Sequence, residues 1–111
     1  MQSKQLLSRT LAIWRERGSD HEVAYILRRL SDTNRLMYLY GEGIQQAKEA
    51  LETLEPLGDT TGQAGCSIEL AWLLHDNKQL DAAEEAASYA IDLISEKGDS
   101  PLRTHSRNCV P

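Results

Sequence analysis

The chain has 111 residues, of which 41% are hydrophobic, and it carries a formal net charge of −5. That is one domain's worth of material, apolar enough for a modest core, and too balanced in composition for a disordered, collagenous or disulfide-dense class. Charge is uneven, with seven Lys/Arg against four Asp/Glu in residues 1–40 and three against thirteen in residues 41–100. The acidic remainder argues against nucleic acid as a partner, despite Arg9, Arg15, Arg17, Arg28, Arg29 and Arg35.

In chain order, residues 3–17 set Leu7, Thr10, Leu11 and Trp14 on one helical face. Ser19 followed by Glu22 has the form of a capping box and opens a second helix, with Ala24, Leu27, Leu30 and Asn34 as its core stripe. Ser31-Asp32-Thr33-Asn34 are four weak helix formers in that stretch. Gly41-Glu42-Gly43 is expected to form a turn, and IQQAKEALETLE a third helix with Ala47, Ala50, Leu51 and Leu54 inward. Pro56 cannot donate its N–H, so this helix should end near residues 54–57, with Gly58 as the stop. Thr60 with Gln63 predicts the next cap. Ser67, Leu70, Ala71 and Leu74 then keep helical spacing, and a polar turn spans residues 76–81. Asp81 and Glu84 cap a last helix with Ala83, Ala86, Ala87, Ala90 and Ile94 inward.

The chain also reads itself at an offset of 40. Gly18, Gly58 and Gly98 fall in step, as do Ala24 and Ala64, Leu30 and Leu70, Ala47 and Ala87, Ala50 and Ala90, and Leu11, Leu51 and Ile91. A fixed period of this size predicts stacked supersecondary units that bury their apolar faces on one another. Residues 1–20 would be the second helix of a partial unit, 21–60 and 61–100 full helix hairpins, and 101–111 the start of another. The predicted class is all-α, a single array over residues 1–111. Its two ends are expected to expose stacking faces, with Leu6, Leu7, Leu11 and Trp14 at the first, and so to favour homo-oligomers.

Leu70-Ala71, Leu74, Ala83, Ala87 and Ala90 together resemble the tetratricopeptide repeat signature, and Leu30-Ser31, Gly43, Ala47 and Ala50 repeat it more weakly. With about six residues beyond the 34-residue form, the unit is similar to the extended repeats of kinesin light chains and of fungal NACHT-type signalling proteins. It departs from the pattern at Ser67 and Ala87, where aromatic residues are common. The resemblance implies a right-handed α-solenoid of antiparallel hairpins whose first helices line a concave groove that binds a protein or peptide. Carried over by position, groove contacts fall on Tyr25, Arg28, Asp32 and Arg35 of one helix and Ile68, Trp72, His75 and Asp76 of the next; aromatic and Arg side chains are the types that anchor interfaces. An alternative is a structural or self-associating piece of a larger solenoid.

Enzyme chemistry finds no footing in the sequence. Glu49, Glu52, Glu84 and Glu85 fall on outward faces, with no base partner or cleft. No cofactor motif is present, and His105 with Cys109, spaced i, i+4, is two ligands short of a zinc site. Cys66 and Cys109 lack paired spacing and read as free thiols of a cytoplasmic protein. No signal-like or membrane-spanning apolar run occurs.

Overall fold

The structure, a computed structural model, describes residues 2–96. Five helices follow in order: α1 (Gln2–Arg17), α2 (Asp20–Leu36), α3 (Tyr40–Leu54), α4 (Thr60–Asp76) and α5 (Leu80–Glu96). Among the described residues there is no strand. Each helix packs on the next in the chain, and α2 also touches α4. The weak helix formers at 31–34 stay inside α2, because Ser31 and Asn34 are wholly buried there.

The 40-residue period is visible in the backbone. Gly18 and Gly58 have φ of +71° and +69°, and Tyr38 and Lys78, also 40 apart, have +63° and +67°. After α2, the Leu39 N–H donates to the Asn34 carbonyl (2.8 Å) and the Tyr38 N–H to that of Arg35 (3.1 Å); after α4, Gln79 and Lys78 donate to Leu74 (2.8 Å) and His75 (3.0 Å). These are paired C-terminal closures in which a left-handed residue turns the chain and satisfies the last carbonyls. Tyr38 and Lys78 adopt a conformation that costs non-glycine residues about 1–2 kcal/mol.

The turn between α2 and α3 therefore lies at residues 37–39, earlier than the glycines suggest. Gly41 and Gly43 are both within α3. Gly43 serves packing instead: a Cβ there would stand 2.7 Å from Leu73 Cδ2 and 3.1 Å from the Ser31 carbonyl oxygen. The cap of α4 also sits one residue earlier than expected. Asp59 Oδ1 accepts the Gly62 N–H at 2.9 Å, while Gln63 is buried and reaches Tyr89 Oη at 3.4 Å. Ser19 is at the N-cap of α2, but its hydroxyl bonds the Glu22 carboxylate and caps no N–H. That bond holds the Glu22 carboxyl below its ordinary range.

The core has two parts. One joins α1, α2 and α3 through Leu11, Leu27, Leu30, Ala50 and Leu54, and takes Cys66 from α4. The other joins α3, α4 and α5 through Ala47, Leu70, Leu73, Leu74, Ala83 and Ala86. Ser67, at a position where the repeat pattern carries an aromatic, is buried and donates to the Ala86 carbonyl at 2.6 Å. Such a bond is worth about 1 kcal/mol net.

Two expectations need correction. Ala87 is only half-buried and Ile94 is 44% exposed, because both line an open cleft between α4 and α5 in place of a closed contact. Leu51, half-buried, packs against the first core as expected. The start of the chain does not present a bare stacking face: Leu11 is buried, Leu7 and Trp14 pack against the first core, and Leu6 is the exposed one. Gly98, the segment 101–111 and the His105/Cys109 pair lie outside the described residues.

Candidate binding groove

α2 and α4 are equivalent helices one period apart, so their outward residues form two rows on one surface. The rows meet at Arg35, in the last turn of α2. Its Nε donates to Asp76 Oδ2 at 3.0 Å, and its Nη1 lies 3.4 Å from Asp32 Oδ1 and 3.9 Å from Glu69 Oε2. Its guanidinium carbon also sits 5.4 Å from the centre of the Trp72 ring, within cation–π range. Three carboxylates and an aromatic face hold this cation, and the carboxylates raise its pKa, the Asp76 hydrogen bond first among the causes. Arg35 is thus a strut between α2 and α4, committed to its own chain.

The carboxylates around it respond in opposite directions. Asp76 is held below the usual aspartate range by the Arg35 hydrogen bond and then by that of His75, whose Nδ1 is 3.4 Å from Asp76 Oδ1. Glu69 is pushed up, first by burial and then by the neighbouring Asp32 carboxylate, against the pull of Arg35 and Arg28. Its Oε2 accepts no hydrogen bond. A carboxyl so placed holds its proton more readily than one in water.

Around this strut the surface divides. On the α2 side, Tyr25, Arg28, Arg29, Asp32 and Glu69 line a shallow, mostly polar pocket of about 260 Å³. Arg29 donates to Tyr25 Oη at 3.1 Å, with its guanidinium carbon 5.9 Å from the Tyr25 ring centre, so the ring is fixed while 56% exposed. Arg28 crosses to α4, where a Cβ on Gly65 would come within 2.8 Å of its Nη1. On the far side, Ile68, Trp72 and His75 of α4 face Leu80, Ala87 and Ile94 of α5 across an apolar cleft of about 680 Å³. Trp72 meets His75 edge to face, with ring centres 6.3 Å apart.

No family model, no curated protein and no solved structure matches this chain. The eight predicted residues therefore stand on their geometry. Tyr25, Arg28 and Asp32 share the polar pocket; Ile68, Trp72 and His75 share the cleft; Arg35 and Asp76 pair between them. Sequence reasoning missed Arg29 and Glu69, which complete the polar pocket, and the α5 wall of the cleft. The register offered a signal for the first two, since residues 29 and 69 are one period apart and opposite in charge.

The Cys66 thiol is buried and pushed up to about 11 by that burial, far from the thiolate form. Among the described residues no three His, Cys, Asp or Glu side chains group as a metal site, and no helix is long and apolar enough to cross a membrane.

Proposed function

We propose that this chain is a protein-interaction module, a tetratricopeptide-like segment of right-handed solenoid that takes a peptide or helix along the outward faces of α2 and α4. The observation that carries the reading is the pocket built by Tyr25, Arg28 and Arg29 over Asp32 and Glu69. A ring already fixed by its neighbour loses little freedom on binding, and Tyr and Arg are the residue types that dominate interface energies. Arg28 and Arg29 suit a partner that presents a carboxylate or carbonyl oxygens, and Asp32 suits a donor beside it. Arg35 contributes by holding the two helices at their spacing.

A peptide library panned on the chain tests this. The double variant Tyr25→Ala with Arg28→Ala should weaken selected peptides by about 2 kcal/mol or more, with the helical circular dichroism of the parent. Retention of the same peptides at parental affinity would remove the assignment.

A second reading, a spacing unit within a longer solenoid, is favoured by the apolar α4–α5 cleft, a face shaped to seat a further helix. Self-association through that face would appear in sedimentation as a mass that rises with micromolar concentration.

A further inference from the structure

α1 and α5 carry opposite charge and lie at opposite ends of the stack, α1 packed on α2 and α5 on α4. α1 holds four Lys/Arg against one Glu, whereas α5 holds five Asp/Glu and no Lys or Arg. Leu7, Leu11 and Trp14 of α1 turn to the core, which leaves Leu6 and Ile13, 63% and 50% exposed, on its outer side. Spaced i, i+7, these two stand above one another on one face, with the exposed Arg9 between them. Lys4 and Arg15 are held by Glu42 and Glu49 of α3, and Arg17 lies over the Trp14 ring, so Arg9 is the cation of that outer face. At the other end, the apolar walls of the α4–α5 cleft include Trp72, Ile91 and Ile94, and Asp81 and Glu84 line it with them.

We propose that the α4–α5 cleft of one copy of this chain seats the outer face of α1 of a second copy, so that copies join head to tail. Leu6 and Ile13 enter the cleft, and Arg9 meets the Asp81 and Glu84 carboxylates that line it. Burial of large aliphatic side chains drives the contact, and opposite charge fixes which faces meet. Charge also disfavours the symmetric pairings: cleft on cleft would set two acidic α5 helices together, and α1 on α1 two basic ones.

Because the contact joins two different faces, a pair of copies still offers one free helix face and one free cleft, and further copies add to it. One helix on one cleft is a small interface, of the size that gives weak, reversible association. The contact would shield Trp72, which is 52% exposed without it. This inference rests on the reading of the cleft as a seat for a helix and is independent of the partner proposed for Tyr25 and Arg28.

Sedimentation of the full chain from micromolar to millimolar concentration tests this. The wild-type mass should rise past that of two chains, and added salt should weaken the association by screening basic α1 from acidic α5. Two variants each break one half: Leu6→Glu with Ile13→Glu blocks the helix face, and Ile91→Gln with Ile94→Gln blocks the cleft. All four side chains are exposed, so the circular dichroism of the parent should persist, while association weakens about tenfold or more per aliphatic side chain lost. Mixed in equal amounts, the two variants supply one intact helix face and one intact cleft, and should form a complex of two chains and no larger. A monomeric cleft variant beside an α1 variant that still associates would overturn the proposal but keep the cleft as the seat of another helix. Association that survives both variants would overturn the proposal and the reading of the cleft together. A wild-type chain that stays monomeric throughout, or a pair that stops at two chains and tightens with salt, would overturn the head-to-tail contact. Should either double variant fail to fold, Arg9→Glu, which removes no apolar side chain, must weaken the wild-type association by itself; an unchanged mass at every concentration would overturn the proposal.

Discussion

The hairpins α2–α3 and α4–α5 share a backbone and differ in what covers them. Both close their first helix with a left-handed residue and the same pair of carbonyl bonds. Yet Ala47 and Leu54 of α3 are buried under α4, while their counterparts Ala87 and Ile94 of α5 line an open cleft. Identity of register thus does not give identity of environment. In a stacked array each unit's burial is set by its neighbour, so one side chain pattern is core in one unit and open surface in the next.

The contrast is sharpest at Leu54 and Ile94. Leu54→Ala removes a buried side chain between α3 and α4 and should cost about 2–5 kcal/mol. Ile94→Ala, at a position 44% exposed, should cost less than about 1.5 kcal/mol, below the value of fully burying such a side chain. Urea denaturation of both variants measures the gap, and equal costs would mean that the two hairpins are covered alike.

Adding bulk should give a smaller but similarly lopsided effect. Ala47→Leu must force a side chain between α3 and α4 at a site with 0% exposure, for about 1–3 kcal/mol. Ala87→Leu projects into the cleft and should leave the thermal midpoint within a few degrees of the parent. A large drop for Ala87→Leu would restore that residue to the α4–α5 core.

How far the sequence reached is clear from these same positions. The period of 40, the all-helical class and the inward residues of α2 were legible because Gly18/Gly58, Leu30/Leu70 and Ala24/Ala64 repeat in one register. The α2–α3 turn was misplaced because glycine signals a turn and a close approach equally well; Gly43 is there for Leu73. Tyr38 and Lys78 carry no composition cue for a left-handed turn. At the candidate site, the residue types on the α2 row were readable. The Arg35 network was not, since Arg35 reaches Asp76 across 41 residues, and that pairing depends on the distance between two helices.

The smallest expected effect concerns pH in the region between the hairpins. Glu69, raised by burial and Asp32, binds its proton more tightly folded than unfolded. Its contribution to stability therefore falls as pH rises through the interval between its ordinary and its raised value. Asp76, lowered by Arg35 and His75, contributes stability that is present above the ordinary aspartate range and lost as pH falls below it. Glu69→Gln should thus stabilise the protein at neutral pH, with the gain fading towards about pH 4, and Asp76→Asn should flatten the acid side of the stability profile. Thermal midpoints recorded from acid to neutral pH give both. A Glu69→Gln variant that is less stable at neutral pH would show its carboxylate to be a needed partner of Arg35.

The central claim is that one 40-residue unit sets the backbone twice, and that α4 buries the first unit's face. Solution NMR of the chain tests it most directly. The account predicts positive φ at Tyr38 and Lys78 as at Gly18 and Gly58, and close methyl contacts from Leu73 to Gly43 and Ser31. Continuous helix through residues 37–39 or 77–79, or Leu73 methyls that meet neither residue, would contradict it.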